Sequence, residues 1–287
     1  MKKKTKKMLS AGLLLVFLVS TALLIRNVLG YSGGDSDYSD AAELARQSAG
    51  QTAEPTAETE PVAVMEEIAV SPEVPEEKEL VWVPAPLEAE DPKMETLAET
   101  DLDALRKVNE DVLGWIHVPG TKIDYPILQG EDNEYYLKRT WKGHRNPVGS
   151  IFLESRNSPD FTDWNTIIYG HNMGDGSMFA PLHRYKKQDF WEKNPNIYIV
   201  TDAGVLRYEI FSSYNAKVGS KTYGLSFNQT ETREEFIAMA LENSNIDTGI
   251  VPEVTDQIIT LSTCSGGEET RRVVHARMSM IEVELES

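Results

Sequence analysis

From residue 101 onward, short apolar runs alternate with polar turns. WIHVPG (115–120), KIDYPIL (122–128), GSIFLE (149–154), NTIIYG (165–170), NIYIVT (196–201), VLRYEIFSSYNAKV (205–218), QIITLSTC (257–264) and RRVVHARMSMIEVEL (271–285) each have the length and the β-branched and aromatic content of a strand or strand pair. Two stretches break the pattern. LDALRKVNEDVLGW (102–115) spaces Leu102, Leu105, Val108 and Val112 along one helical face and stops at Gly114. In TREEFIAMALENSN (232–245), Thr230 or Thr232 can cap a helix with acids in its first turn. Eight strands with few helices predict a mainly β fold, a closed or nearly closed barrel, with no internal repeat.

The first hundred residues follow different rules. Lys2, Lys3, Lys4, Lys6 and Lys7 precede an uncharged run from Met8 to Ile25, long enough to enter a bilayer. Lysines before the run and none directly after it predict a cytoplasmic tail at 1–7 and a transmembrane signal-anchor at 8–29. A cleaved secretion signal is the alternative, and either exports the remainder. Residues 30–95, with TAEPTAETEP and SPEVPEEKEL, predict an acidic, Pro/Glu-rich extracellular linker, extended by proline and like-charge repulsion. The folded domain is expected at 96–287.

Charge sharpens that division. The net charge is −18, and residues 31–100 hold 18 acids against three basic residues. Such an acidic chain has little with which to neutralise phosphates, which excludes nucleic acid as a partner.

The chain has one cysteine, Cys264. An unpaired thiol in an exported protein is either a reactive group, one half of an intermolecular bridge, or a small buried hydrophobe. Cys264 ends an apolar run and opens onto Ser265, Gly266 and Gly267, a setting that exposes a side chain on a held backbone. A free thiol ionises near pH 8.5 and needs help at neutrality. His171 also stands at a strand end, before the loop NMGDGSMF, and Arg271 and Arg272 open the strand after Cys264. A guanidinium there can stabilise an oxyanion. His117, His144, His183 and His275 have less suitable surroundings.

TLSTC (260–264), YGHNM (169–173) and RRVVHAR (271–277) together resemble the sortases, specifically class B. NEDVLGWIHVPGTKIDYPILQGEDNEYYL (109–137), GSIFLESRN (149–157) and NTIIYGHNMGDGSMF (165–179) resemble class B blocks in the same order. The resemblance implies an eight-stranded sortase-type β-barrel with an N-terminal helix and a helix between the sixth and seventh strands. It implies Cys264 as nucleophile, His171 as acid–base and Arg271, in preference to Arg272, as the catalytic arginine. Asn133, Leu137, Ser262 and Thr263 fall at the implied substrate groove. Some members carry an acid shortly after the cysteine, where this chain has Gly266 and Gly267.

The implied reaction is transpeptidation: cleavage of a C-terminal sorting signal after Thr, a Cys264 thioester, and transfer to an amine. The implied partners are secreted proteins bearing such signals and a lipid-linked cell-wall precursor or a pilin lysine. No cofactor or metal is expected. The implied location is the cell membrane of a Gram-positive type envelope, single-pass with the catalytic domain outside. Pilin polymerisation, a hydrolytic surface cysteine protease and a non-enzymatic adhesion module are the competing readings.

Overall fold

A computed structural model describes residues 19–21, 34–47, 80–84, 97–264 and 269–284. Its strands are β1 (Leu80–Pro84), β2 (Val112–His117), β3 (Asp124–Leu128), β4 (Ile151–Leu153), β5 (Asn165–His171), β6 (Asn196–Thr201), β7 (Gly204–Lys217), β8 (Ile258–Cys264), β9 (Thr270–Met278) and β10 (Met280–Glu284). Helices are α1 (residues 34–44), α2 (Leu102–Arg106), α3 (Gln188–Lys193) and α4 (Thr230–Glu242). All eight apolar runs form strands, and β2-β3-β4-β5-β8-β9-β7-β6 close into a barrel. The last run divides at Ser279, and its second half, β10, pairs with β1 outside the barrel.

Strict alternation builds the barrel. Ile116, Ile127, Ile151, Ile168, Ile199, Ile210, Leu261 and Val274 point inward and form one buried cluster. Their neighbours point outward into two further clusters. On one side Trp115, Leu128, Phe152, Tyr198 and Val200 lie under Ala41, Ala45, Leu102 and Leu105. On the other, Phe211, Tyr214, Ile258 and Val273 lie under Phe236, Ile237 and Ala240 of α4. Burying each large apolar side chain contributes roughly 1.5–3 kcal/mol, enough for these short helices to persist by packing.

Several boundaries differ from the sequence expectation. The first predicted helix ends at Arg106, Val108 is 48% exposed, and Val112 already belongs to β2. The ladder with β3 holds residues 112–117 against Asp124–Leu128, and that pairing overrides the helical spacing. Helix α4 starts near its expected place, but Gln229 is its N-cap without a side-chain bond, and Thr232 Oγ1 donates back to the Gln229 carbonyl at 2.7 Å. Residues 34–47 and 80–84 fall inside the segment expected as an extended linker, yet both carry secondary structure. In α1, Tyr38, Ala41 and Ala45 share one face, and that face is packed on the barrel. Among the described residues no helix is long and apolar enough to cross a membrane. The expected span at 8–29 lies outside the described residues except for 19–21.

Candidate active site

Strands β5 and β8 run parallel in continuous register from Asn165↔Ile258 to His171↔Cys264. The two residues singled out by their strand-end positions are therefore partners on adjacent strands. On β8 the described side chains of Ile258, Thr260 and Ser262 face outward, while Leu261 is inward.

Strand β9 supplies the arginines. It pairs antiparallel with β8 from Ile258↔Arg277 to Ser262↔Val273, two residues short of position 264 on one strand and of Arg271 on the other. Arg271 lies on the outward side with Val273 and is part-exposed, its Nη1 donating to the Thr270 carbonyl at 3.0 Å. Arg272 faces the other way. It is 5% exposed, and its Nη1 donates to Asn245 Oδ1 at 2.7 Å, with Ser213 Oγ 3.5 Å away. Burial pulls the Arg272 guanidinium below its usual pKa. The outward face that carries Ser262 and Val273 thus carries Arg271 and not Arg272.

His171 is held from the side by the 136–150 segment. Its Nε2 lies 2.6 Å from the Leu137 carbonyl. A carbonyl only accepts, so Nε2 carries the proton and Nδ1 is the nitrogen able to gain one. Two glycines permit this seat. A Cβ at Gly149, whose φ is +64°, would stand 2.6 Å from His171 Cδ2 and 2.8 Å from the Leu137 oxygen. A Cβ at Gly170 would stand 2.5 Å from Ile151 Cδ1.

The remaining predicted positions divide. Ser262 faces outward, 3.0 Å from the Tyr223 hydroxyl. Leu137 offers its carbonyl to His171. Asn133 is occupied with the frame: its Nδ2 donates to Glu154 Oε2 at 2.7 Å and its Oδ1 accepts from the Ser155 amide at 2.8 Å. Thr263 is not gathered with the others, being turned inward and buried with its Oγ1 accepting from the Arg272 amide at 3.1 Å.

Three residues that sequence reasoning passed over complete the wall. Buried Glu154 accepts from Asn133, from Arg156 and, at 3.0 Å, from the Tyr169 hydroxyl. Burial alone would raise its carboxyl, but these hydrogen bonds outweigh it and hold the pKa below 4.5. The Tyr169 ring stacks on Tyr223 at 6.5 Å. Tyr169 sits two residues before His171 in an apolar run, and nothing in the sequence separates it from a core tyrosine.

Behind this wall runs a directed chain of hydrogen bonds. Asn165 Nδ2 donates to the Gly224 carbonyl, and its Oδ1 accepts from Thr260 Oγ1. Thr260 Oγ1, its proton so committed, accepts from His275 Nδ1 at 2.9 Å. His275 Nε2 in turn accepts from Tyr214 Oη, which lies 2.9 Å from Thr222 Oγ1. The chain starts and ends on the short 3-10 turn Lys221–Tyr223 and its cap, the turn that carries Tyr223. Full burial pushes the His275 pKa down to about 3, consistent with the neutral ring this chain requires. A cavity of about 450 Å³ beside Phe211, Leu241 and Ile250 is lined by none of His171, Arg271, Ser262 and Tyr223.

Comparison with known proteins follows the same lines. The family model "Sortase domain" matches residues 116–279. The "Sortase B" of Listeria monocytogenes serovar 1/2a is 38% identical over 183 residues, covering 62% of this chain and 74% of the relative. The solved "Staphylococcus aureus sortase B-substrate complex" is 32% identical with a TM-score of 0.59, covering 64% of this chain and 85% of that one. A solved sortase B complexed with triglycine is 33% identical with a TM-score of 0.59, covering 64% and 86% of the two chains.

Proposed function

The chain belongs to the sortase family, in its class B branch, and from that premise we propose a two-step sorting reaction run by Cys264, His171 and Arg271. Membership makes it a cysteine transpeptidase of the cell envelope that anchors surface proteins. The assignment of residues, substrate and anchor is our reading.

The Cys264 thiolate attacks the Thr carbonyl carbon of the Thr–X peptide bond in a C-terminal sorting signal. Negative charge develops on that carbonyl oxygen, and the Arg271 guanidinium stabilises it. As the tetrahedral intermediate collapses, the C–N bond breaks, and the His171 imidazolium gives a proton to the departing amine. A thioester on Cys264 remains. An acceptor amine then attacks it, His171 takes the amine's proton, the C–S bond breaks and the thiolate returns. The sortase B structures with substrate and with triglycine make a signal peptide and an amine the natural first and second substrates here. The acceptor we infer is the peptide amine of a lipid-linked wall precursor. The uncharged Met8–Ile25 run after five lysines supports a membrane anchor, which would raise the enzyme's effective concentration on membrane-retained signals.

The observation that carries this reading is the in-register pairing of His171 with Cys264, with Arg271 two residues beyond the last β8–β9 pair, Ser262↔Val273. The test is a fluorogenic panel of sorting-signal peptides with and without an amine acceptor. Cys264→Ala should abolish cleavage, and His171→Ala should reduce it by about 10²–10⁴-fold, the usual worth of general acid–base help. Product carrying the acceptor supports transpeptidation. Free acid alone, with acceptor present, would overturn it in favour of hydrolysis.

A further inference from the structure

Helix α1 grips one loop of the barrel. Asp37 Oδ2 accepts from Thr140 Oγ1 at 2.6 Å, and the Asp37 carbonyl accepts from Trp141 Nε1 at 2.5 Å. Lys142 Nζ reaches Asp40 at 2.5 Å, and His144 Nδ1 lies 3.1 Å from Asp37 Oδ2. Tyr38 goes deepest. Its Oη donates to the Gly149 carbonyl at 2.6 Å and lies 3.1 Å from Ser150 Oγ, while its ring meets Tyr125 edge-on at 5.3 Å. Burial pushes the phenol pKa upward, so the hydroxyl stays protonated and remains a donor.

All the partners in these hydrogen bonds and ion pairs fall on the segment 136–150, and the two ends of that segment hold His171. One end contributes the Leu137 carbonyl on Nε2, and the other contributes Gly149, so close to the ring that a Cβ there would collide with it. The ends are tied together, since the Ser150 amide donates to the Tyr136 carbonyl at 2.9 Å and the Asn146 amide to the Lys138 carbonyl at 2.9 Å. A shift of Gly149 away from Tyr38 would therefore change the distance between Leu137 and the imidazole. We propose that Tyr38 is a positioning residue for His171, holding Gly149 and Leu137 where they fix the tautomer and tilt of the ring. The helix that precedes the barrel is on this view a working part of the active site.

The inference rests on the role given to His171 above, and the experiment separates the two. Full-length chain with ¹⁵N-labelled histidine is compared as wild type, Tyr38→Phe and Asp37→Asn, with His171→Ala identifying the His171 signals. Tyr38→Phe keeps the ring and removes the hydroxyl's contacts to Gly149 and Ser150, so kcat should fall about tenfold with KM for the signal peptide little changed. The His171 nitrogen shifts should move away from the Nε2–H pattern, and Asp37→Asn should move both readouts the same way by less. Unchanged nitrogen shifts in Tyr38→Phe, whatever happens to kcat, would overturn the proposal while leaving the reaction intact. Full activity in His171→Ala would instead sink the reaction itself.

Discussion

The sharpest contrast between single residues is the one between adjacent arginines. Arg271 and Arg272 differ by one position and so project from opposite sides of β9. Arg272 is committed to Asn245 in a buried setting, and Arg271 shares the outward face with Val273 and Ser262. Arg271→Ala should lower kcat/KM by about 10²-fold or more with little change in melting temperature. Arg272→Ala should cost about 1–3 kcal/mol of stability, because it leaves the Asn245 and Ser213 oxygens without their donor, and keep most of the activity. Steady-state kinetics and thermal melts on the two variants check this, and a larger kinetic loss at Arg272 would reverse the assignment. Cys264, His171 and the arginine pair were legible in the sequence, because a strand end next to a glycine loop marks where a side chain can leave the sheet. Glu154, Tyr169 and Tyr223 were not, because their roles come from neighbours on other strands.

Among the elements, the strands announced themselves and the small helices did not. A strand buried on both faces reads as a short apolar run bounded by turn residues, and eight such runs need only their sequence to be seen. The eleven described residues of helix α1 lie in an acidic, serine-rich segment, so composition hides the face of Tyr38 and Ala41, continued by Ala45 just after it, that packing selects. The 3-10 turn Lys221–Tyr223 is shorter still, and it is placed by the hydrogen-bond chain through Asn165, Thr260, His275 and Tyr214. That turn presents Tyr223 to Ser262, which the proposed reading puts at the substrate groove, so we expect its placement to act on binding more than on chemistry. Tyr214→Phe removes one link and should raise KM for the signal peptide by about 3- to 10-fold while moving kcat less. Equal effects on the two constants would count against this division of labour.

For the whole molecule, the buried titrating groups set its response to acid. His275 has a native pKa near 3 against an ordinary 6.5, so the unfolded chain binds its proton first as pH falls. Stability is therefore undiminished by this group above about 6.5 and declines as pH drops from there toward 3, by about 1.4 kcal/mol per unit. Glu154, Asp37 and Asp124 are held below their ordinary values by hydrogen bonds and nearby cations that outweigh the opposing effect of burial. Their contribution is complete above those ordinary values and is lost as pH falls through the lower native ones. Urea midpoints measured between pH 7 and 5 should show the His275 slope before the carboxylates enter, and His275→Gln should flatten it. An equal slope in that variant would refute the assignment.

The pairing of β5 with β8 also bears on how the protein comes into being. His171 and Cys264 stand 93 residues apart in sequence, and parallel strands cannot be joined by a tight turn. Contacts of that range are slow to form, because loop closure must be met before the ladder rewards it. As the chain is made, its thiol follows its imidazole by 93 residues, so neither assists the other at first. The pair exists only after β6, β7 and α4 have been made and the barrel has closed. On the proposed reading the thiol until then keeps the sluggishness of a free cysteine, and the enzyme cannot act on its own unfolded chain.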